Sequence, residues 1–253
     1  MSTRLSSPDL MLTLTERKIR LLAKRSWAGT VYPAVAPLFL LALYVFVFHS
    51  VFKEQIHDYP IYVFAGLLPW TFVAQTLGDA ITTLTLDADL IRRTPFRYEL
   101  LPIASVTAMS LYFLFDLACF VLILACLGRL AFLPLIAIVI PVVCLYLLVT
   151  TISMFLALID IYNRDLRRFL ANLLTVWFFL VPIVYTQAQN HRLSFLRYVD
   201  PVNIIITEFR NILYYRELPP NHTMFEGIII CTALMGIALL VYRRFDDRLP
   251  REV

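Results

Sequence analysis

The chain is predicted to be an all-α integral membrane protein of six transmembrane helices, with both termini on the cytoplasmic side. Three observations predict this. Hydrophobic residues make up 60% of its 253 residues and charged residues 16%, where a soluble domain carries about 25% charge; the mean hydropathy is +0.76. Six separate apolar runs come close to, or exceed, the roughly 20 residues a helix needs to cross a bilayer. Sixteen of the 22 lysines and arginines fall in four segments that six spans leave on one side: the N-terminal segment, 87–101, 160–168 and the tail from Arg243. Lys53, Arg129, Arg192, Arg197, Arg210 and Arg216 fall on the other. The excess marks the first side as cytoplasmic.

An N-terminal helix over 9–27, with Asp9 as its cap, comes first. Leu12, Ile19, Leu22 and Ala23 share one face and Arg17, Arg20 and Lys24 another, which suits a helix lying at the cytoplasmic interface; a solvated positive flank is the plainer reading. The first apolar run is too long for a signal-peptide core and lacks a clear cleavage site, so it is read as a retained span, 31–52. Span 2 covers 61–86 with Pro69 inside it, and Asp87 caps a short helix in the loop 87–101. Span 3 covers 102–127, Gly128 opens a tight outer turn, and span 4 covers 133–159 with Pro134 and Pro141 inside it. Span 5 covers 169–185 and span 6 covers 224–242. No repeat of fixed period is visible, which disfavours a transporter built on inverted repeats.

Residues 187–222 are too polar to span and too long for a plain loop. Two half-apolar pieces, 193–198 and 202–215, flank Asp200-Pro201. They predict an outer-side re-entrant helical hairpin turning near Asp200 and Pro201, with Glu208 and Arg210 on its second helix. An outer loop lying flat on the headgroups is the alternative.

Chemistry-bearing patterns are sparse. No glycine precedes lysine, so a phosphate-binding GxxxxGK[ST] loop is absent. The four histidines are scattered, and the four cysteines lie inside apolar runs without a CxxC pair, so neither a metal site nor a disulfide is expected. Asp116 lies near the middle of span 3. An intramembrane carboxylate is a functional candidate, and a hydrogen bond to a neighbouring helix is the structural reading. The loop around Arg92, Arg93, Phe96, Arg97 and Glu99 mixes charge with aromatic and apolar side chains, which suits a docking surface; a basic loop with its aromatics in the headgroups is the alternative. Tyr44, Phe48, Trp70, Phe72, Trp177, Phe178 and Tyr185 lie along apolar runs. Such rings either pack the bundle or offer sugar-stacking faces along a pore.

The stretch Asp160–Thr186 reads DIYNRDLRRFLANLLTVWFFLVPIVYT. Arg164-Asp165-Leu166 followed by an apolar run closing on Pro182-Ile183-Val184-Tyr185 resembles the RDL…PIVY signature of polysaccharide-exporting ABC-2 permeases. YVFAGLLPW at 62–70 is similar to that family's second span, and LIRRTPFRYELLP at 90–102 to its first cytoplasmic loop. Where the family usually has Asn-Pro, this chain has Asp200-Pro201, and aspartate also caps a helix.

The resemblance implies a membrane subunit, not an enzyme, working as a homodimer with two copies of a separate ABC ATPase that carries the ATP and magnesium. It implies a lipid-linked polysaccharide of O-antigen, capsule or teichoic acid type as substrate, moved across the bacterial plasma (inner) membrane. The loop with Arg92, Arg93, Phe96, Arg97 and Glu99 would then couple to the ATPase, Arg164 and Asp165 would be the cytoplasmic motif, and the hairpin would narrow the pore exit. This chain itself is expected to bind no cofactor and no nucleic acid; its other contacts are membrane lipids. A secondary transporter using Asp116, and a membrane enzyme of lipid or glycan synthesis, are the competing readings. The first would want more intramembrane charges, and the second a cluster of polar catalytic residues in the loops, which is absent.

Overall fold

The computed structural model describes residues 7–24, 46, 57–93, 96–185 and 200–245, and among these there is helix and no strand. The predicted span at 31–52, Phe46 apart, lies outside the described residues. So do Tyr44, Phe48, the hairpin piece at 193–198 and the tail from 246.

Helix α1, Ser7–Lys24, begins two residues before the expected cap, so Asp9 stands in its first turn, where a carboxylate complements the helix dipole. The face that packs is only partly the one the apolar spacing predicts: Ile19 and Leu22 are half-buried, and Leu22 packs on the larger cluster. Leu12 is exposed and Leu14 is buried. The reason is ionic: Arg17 pairs with Asp87 at 2.7 Å and Lys18 with Asp79 at 2.6 Å. These pairs draw the side of α1 that holds Leu14 onto the bundle.

Helix α2, Tyr59–Ala80, is apolar all round and is the central helix. Its most apolar window is 78% buried, against 17% for the last helix. The predicted span continues to Leu86, but the helix breaks at Ile81 and Thr82 before α3, Thr83–Leu86, and α4, Ala88–Arg93. The hydroxyls of Thr82, Thr83 and Thr85 each donate to the carbonyl three residues back, and such local bonds compete with the helical ladder. Asp87 does not cap α4 with its side chain, which is engaged by Arg17; its carbonyl instead accepts from Leu90 and Ile91.

Helix α5, Leu100–Cys126, closes at Gly128 with φ +67°, the left-handed turn that glycine adopts without strain. The predicted fourth span divides into α6, Phe132–Ile136, and α7, Val139–Tyr162. Pro141 cannot donate to the carbonyl of Ala137, which is where the ladder lapses.

Helix α8, Leu166–Leu180, stops five residues before the predicted end of span 5. Val181 precedes Pro182 and takes ψ 125°, as the proline ring demands of the residue before it. At 15 residues, α8 spans about 22 Å, short of a hydrocarbon core of about 30 Å. Four helical stretches among the described residues are long and apolar enough to cross a membrane: Tyr59–Leu86, Leu100–Cys126, Phe132–Tyr162 and Phe225–Arg244. The last belongs to α10, Asn221–Phe245; α9, Pro201–Arg210, and the π-helical turn Asn211–Tyr215 come before it.

The buried side chains form two clusters. The larger joins α2, α5, α7, α8, α9 and the Val181–Val184 segment. The smaller joins Leu14, Leu84, Ile91, Tyr98, Leu101, Met154 and Tyr242.

Candidate functional site

Proline 182 ends α8 and leaves Val181–Val184 buried and non-helical. The carbonyls of such a segment need partners from elsewhere. Arg210, at the end of α9, supplies two: its Nη1 donates to the Pro182 carbonyl at 2.6 Å and its Nη2 to the Ile183 carbonyl at 2.5 Å. Tyr59 and Tyr62 of α2 supply the next two, donating to the carbonyls of Val184 at 2.9 Å and Tyr185 at 3.0 Å. The guanidinium lies 4.1 Å from the centre of the Tyr62 ring, a cation–π contact strengthened by burial. Gly66 makes room for it: a Cβ there would stand 2.7 Å from the Arg210 Nη2. One buried arginine therefore holds the PIVY segment, α9 and α2 together.

The start of α9 is tied to α8 by Asp200. One carboxylate oxygen accepts from the Val202 N–H at 3.0 Å, capping the helix, and the other accepts from the Trp177 indole at 2.7 Å. Aspartate thus does the capping expected of it at this position and adds a tether. Pro201 fills the first helical position, where its missing N–H costs nothing. Glu208 is buried on the same helix.

The α7–α8 elbow is pinned by Asp160. Its carboxylate is fully buried and takes a forked pair of bonds from Arg167, Nε and Nη2 each at 2.6 Å. Thr85 of α3 bonds both members, donating to Asp160 at 3.0 Å and accepting from Arg167 at 2.6 Å. The hydrogen bond to Asp160 holds the Arg167 pKa above its usual value. Arg164 and Asp165, the residues that carry the motif, are exposed. Asn163 accepts from the Asp165 N–H at 3.1 Å and shapes the turn.

The loop before α5 is not a loose connection. Ile91 and Tyr98 are buried in the smaller cluster, and Phe96 packs edge-on against Tyr98 with ring centres 5.1 Å apart. Glu99 is buried and accepts from Arg97 Nε at 2.7 Å. It therefore aims Arg97, half of whose side chain stays exposed. Arg92 is exposed on α4, which ends at Arg93.

Among the ring candidates, Trp70, Phe72 and Phe178 are buried in the larger cluster, with Trp70 edge-on to Trp177 at 5.7 Å. Trp177 and Tyr185 are half-buried and keep surface to offer. Asp116 is half-buried beside Thr71, Gln75 and Tyr112, and no hydrogen bond from these or any other described residue reaches it. No group of three or more His, Cys, Asp and Glu among the described residues could hold a metal.

Three contributors escape sequence reading. Thr85 meets Asp160 across 75 positions, and Gly66 meets Arg210 across a still longer separation. Asp79, near the end of α2, accepts from Ser105 at 2.6 Å as well as pairing with Lys18. Asp160 and Arg167 stand in the charged cluster before the apolar run, but nothing in their types says they pair with each other.

No protein-family model matches the chain. Curated relatives do. The chain is 25% identical over 238 residues to the O-antigen export system permease protein RfbA of Myxococcus xanthus, covering 92% of this chain and 91% of the relative. It is 24% identical over 247 residues to a protein of the same name from Klebsiella pneumoniae, covering 94% of each. A second Klebsiella pneumoniae protein of that name matches at 24% over 236 residues, so along nearly its whole length this chain is similar to permease proteins of O-antigen export systems, the relationship its motifs indicated.

Proposed function

We propose that this chain is the membrane-spanning subunit of an ABC exporter that moves a lipid-linked, O-antigen-like polysaccharide from the cytoplasm across the plasma membrane. The observation that carries the reading is the similarity to three O-antigen export permeases over more than nine-tenths of the chain. The missing phosphate-binding loop agrees with it, because these 253 residues leave ATP hydrolysis to a partner ATPase.

In this reading two copies form the pore and two ATPase chains dock below. The docking surface is the cytoplasmic platform, where Arg92 and Arg97 are exposed and Phe96 is a half-buried anchor on a packed base. The exposed apolar stripe of α8, with Phe169, Leu173, Val176 and Leu180, supports pairing with a second copy, since α8 is too short to span alone. Co-expression with the candidate ATPase, followed by co-purification and a surface-polysaccharide assay, tests the reading. Phe96→Ala with Arg97→Ala is expected to weaken ATPase association about tenfold or more, as loss of two interface anchors does. Undiminished association and unchanged ATP hydrolysis in that variant would remove the platform from the coupling path.

The outer hairpin belongs to the same reading. Its second helix, α9, is 10 residues long, about 15 Å, and enters the protein without crossing. Ile206 is fully buried, Ile205 nearly so and Ile204 half-buried. Single cysteines at these positions are expected to react with an impermeant maleimide added outside in the order 204, then 205 and 206. Rapid and equal labelling at all three would exclude a packed hairpin.

A further inference from the structure

At the outer end of the bundle, a cavity of about 300 Å³ is lined by His57, Asp58, Arg129, Tyr214, Tyr215 and Arg216 among others. Its volume is at the lower limit of small-ligand sites, enough for one head group and not for a length of polymer. Three elements meet there: the start of α2, the turn after α5 and the end of the π turn. Among the described residues, the two non-glycine residues with positive φ are Asp58 at 50° and Arg216 at 59°. Both line this cavity. Left-handed backbone at non-glycine residues is strained and persists where the surroundings enforce it, often at binding sites.

The chemistry of the lining is one-sided. Asp58 is the lone acid, and its carboxylate is already taken: Arg129 bonds both oxygens, and His57 Nε2 lies 3.2 Å from one of them. Tyr214 spends its hydroxyl on the His57 carbonyl at 2.7 Å. What remains for a ligand is a set of donors. Arg129 keeps one-third of its side chain exposed, and Arg216 is exposed with no ion pair among the described residues. One free guanidinium fork, that of Arg216, and the outer N–H groups of Arg129 beside its neutralised carboxylate suit an anion with several oxygens, and a phosphate fits better than a neutral sugar.

The surroundings say how that phosphate arrives. The π turn packs on α6, whose Phe132, Leu133 and Ile136 are largely exposed, as is Leu218 beyond Arg216. A basic pocket bordered by exposed apolar helix has the two surfaces that a phospholipid presents, head group and chains. We propose that this pocket holds the phosphate of a lipid head group in the outer leaflet, with the acyl chains along α6. The inference rests on the helices spanning a membrane with the basic loops on the inner side, not on what the protein exports.

The pocket also connects inward. Tyr214 is edge-on to Tyr62 at 5.3 Å, and Tyr62 carries the Arg210 guanidinium on its face. A head group ordering Tyr214 therefore bears on the PIVY segment through two ring contacts.

The test is native mass spectrometry of the full chain purified in neutral detergent and titrated with dioleoylphosphatidylglycerol. Dioleoylglycerol, which has the chains without phosphate, and glycerol 3-phosphate, which has the phosphate without chains, are the comparison probes. Arg216→Gly removes the cation while keeping the positive φ that glycine adopts freely, so folding is preserved; Arg129→Gln is the second variant. Phosphatidylglycerol is expected to bind, with each variant weakening it about tenfold or more, the usual effect of losing a charge-assisted contact. Dioleoylglycerol is expected to be insensitive to both changes. Equal phosphatidylglycerol affinity in wild type and both variants would overturn the proposal. Glycerol 3-phosphate bound as tightly as the lipid, with the same sensitivity, would overturn the lipid as source and assign the pocket to a phosphate on a soluble or sugar-linked group.

Discussion

Arg210→Gln is expected to destabilise the protein severely and abolish export. The guanidinium is buried, its two Nη groups serve two carbonyls of the PIVY segment, and its face lies on Tyr62. Glutamine is too short to reach both carbonyls, and each buried carbonyl left without a partner costs about 1–3 kcal/mol. Against a total stability of about 5–15 kcal/mol, losing two is a large fraction. Arg210→Lys keeps the charge but not the fork, and is expected to fail nearly as badly. Gly66→Ala tests the same node from the opposite side. The added methyl would meet Nη2 at 2.7 Å and Cζ at 3.2 Å, and the guanidinium is held in place by the carbonyls and Tyr62. Overpacking of this kind costs about 1–3 kcal/mol, so Gly66→Ala is expected to show the milder form of the same defect. Thermal unfolding in detergent and a surface-polysaccharide assay measure both; an Arg210→Gln protein with unchanged unfolding temperature and export would dismiss the node.

The second large effect is expected at the α7–α8 elbow. Arg167→Ala leaves the Asp160 carboxylate fully buried with only Thr85 to bond it. Removing one member of a buried ion pair costs about 3–5 kcal/mol. Here the lower end applies, because about a third of the Arg167 side chain is exposed to solvent. The double variant Asp160→Leu with Arg167→Met is expected to recover most of the loss, since a pair of apolar groups leaves no charge stranded. Arg164→Ala, at an exposed position, is expected to leave stability within about 0.5 kcal/mol. Thermal unfolding of the four proteins decides the matter. Equal destabilisation by Arg164→Ala and Arg167→Ala would mean that the elbow is held by something other than the Asp160 pair.

The two predictions differ in how far sequence reading anticipates them. Arg210 stands out as a charge in a half-apolar piece, so its burial follows from its setting, but its partners are main-chain carbonyls that carry no residue signature. The elbow is the reverse case. The charged cluster at 160–168 is conspicuous, yet the residues most visible as a motif, Arg164 and Asp165, are exposed, while Asp160 and Arg167 make the buried pair.

Sequence alone determined that this chain is helical and built for a bilayer, which segments gather its basic residues, and where most runs start. Each of these follows from quantities summed over many residues: apolar content, run length and the distribution of 22 cations. It also marked Gly128 as a turn and Asp200 as a cap, because those roles depend on one residue and its immediate neighbours. The tertiary structure alone decided what depends on meetings between distant segments. Pro182 made the end of span 5 a buried non-helical strip only because Arg210, Tyr59 and Tyr62 were there to take its carbonyls. Leu14, not Leu12, faces the bundle because Asp79 and Asp87 draw Lys18 and Arg17 inward. Hydropathy is a property of a stretch and adds along the chain. A hydrogen bond or an ion pair needs a specific atom within about 3 Å, and which atom arrives there is settled only when the helices pack.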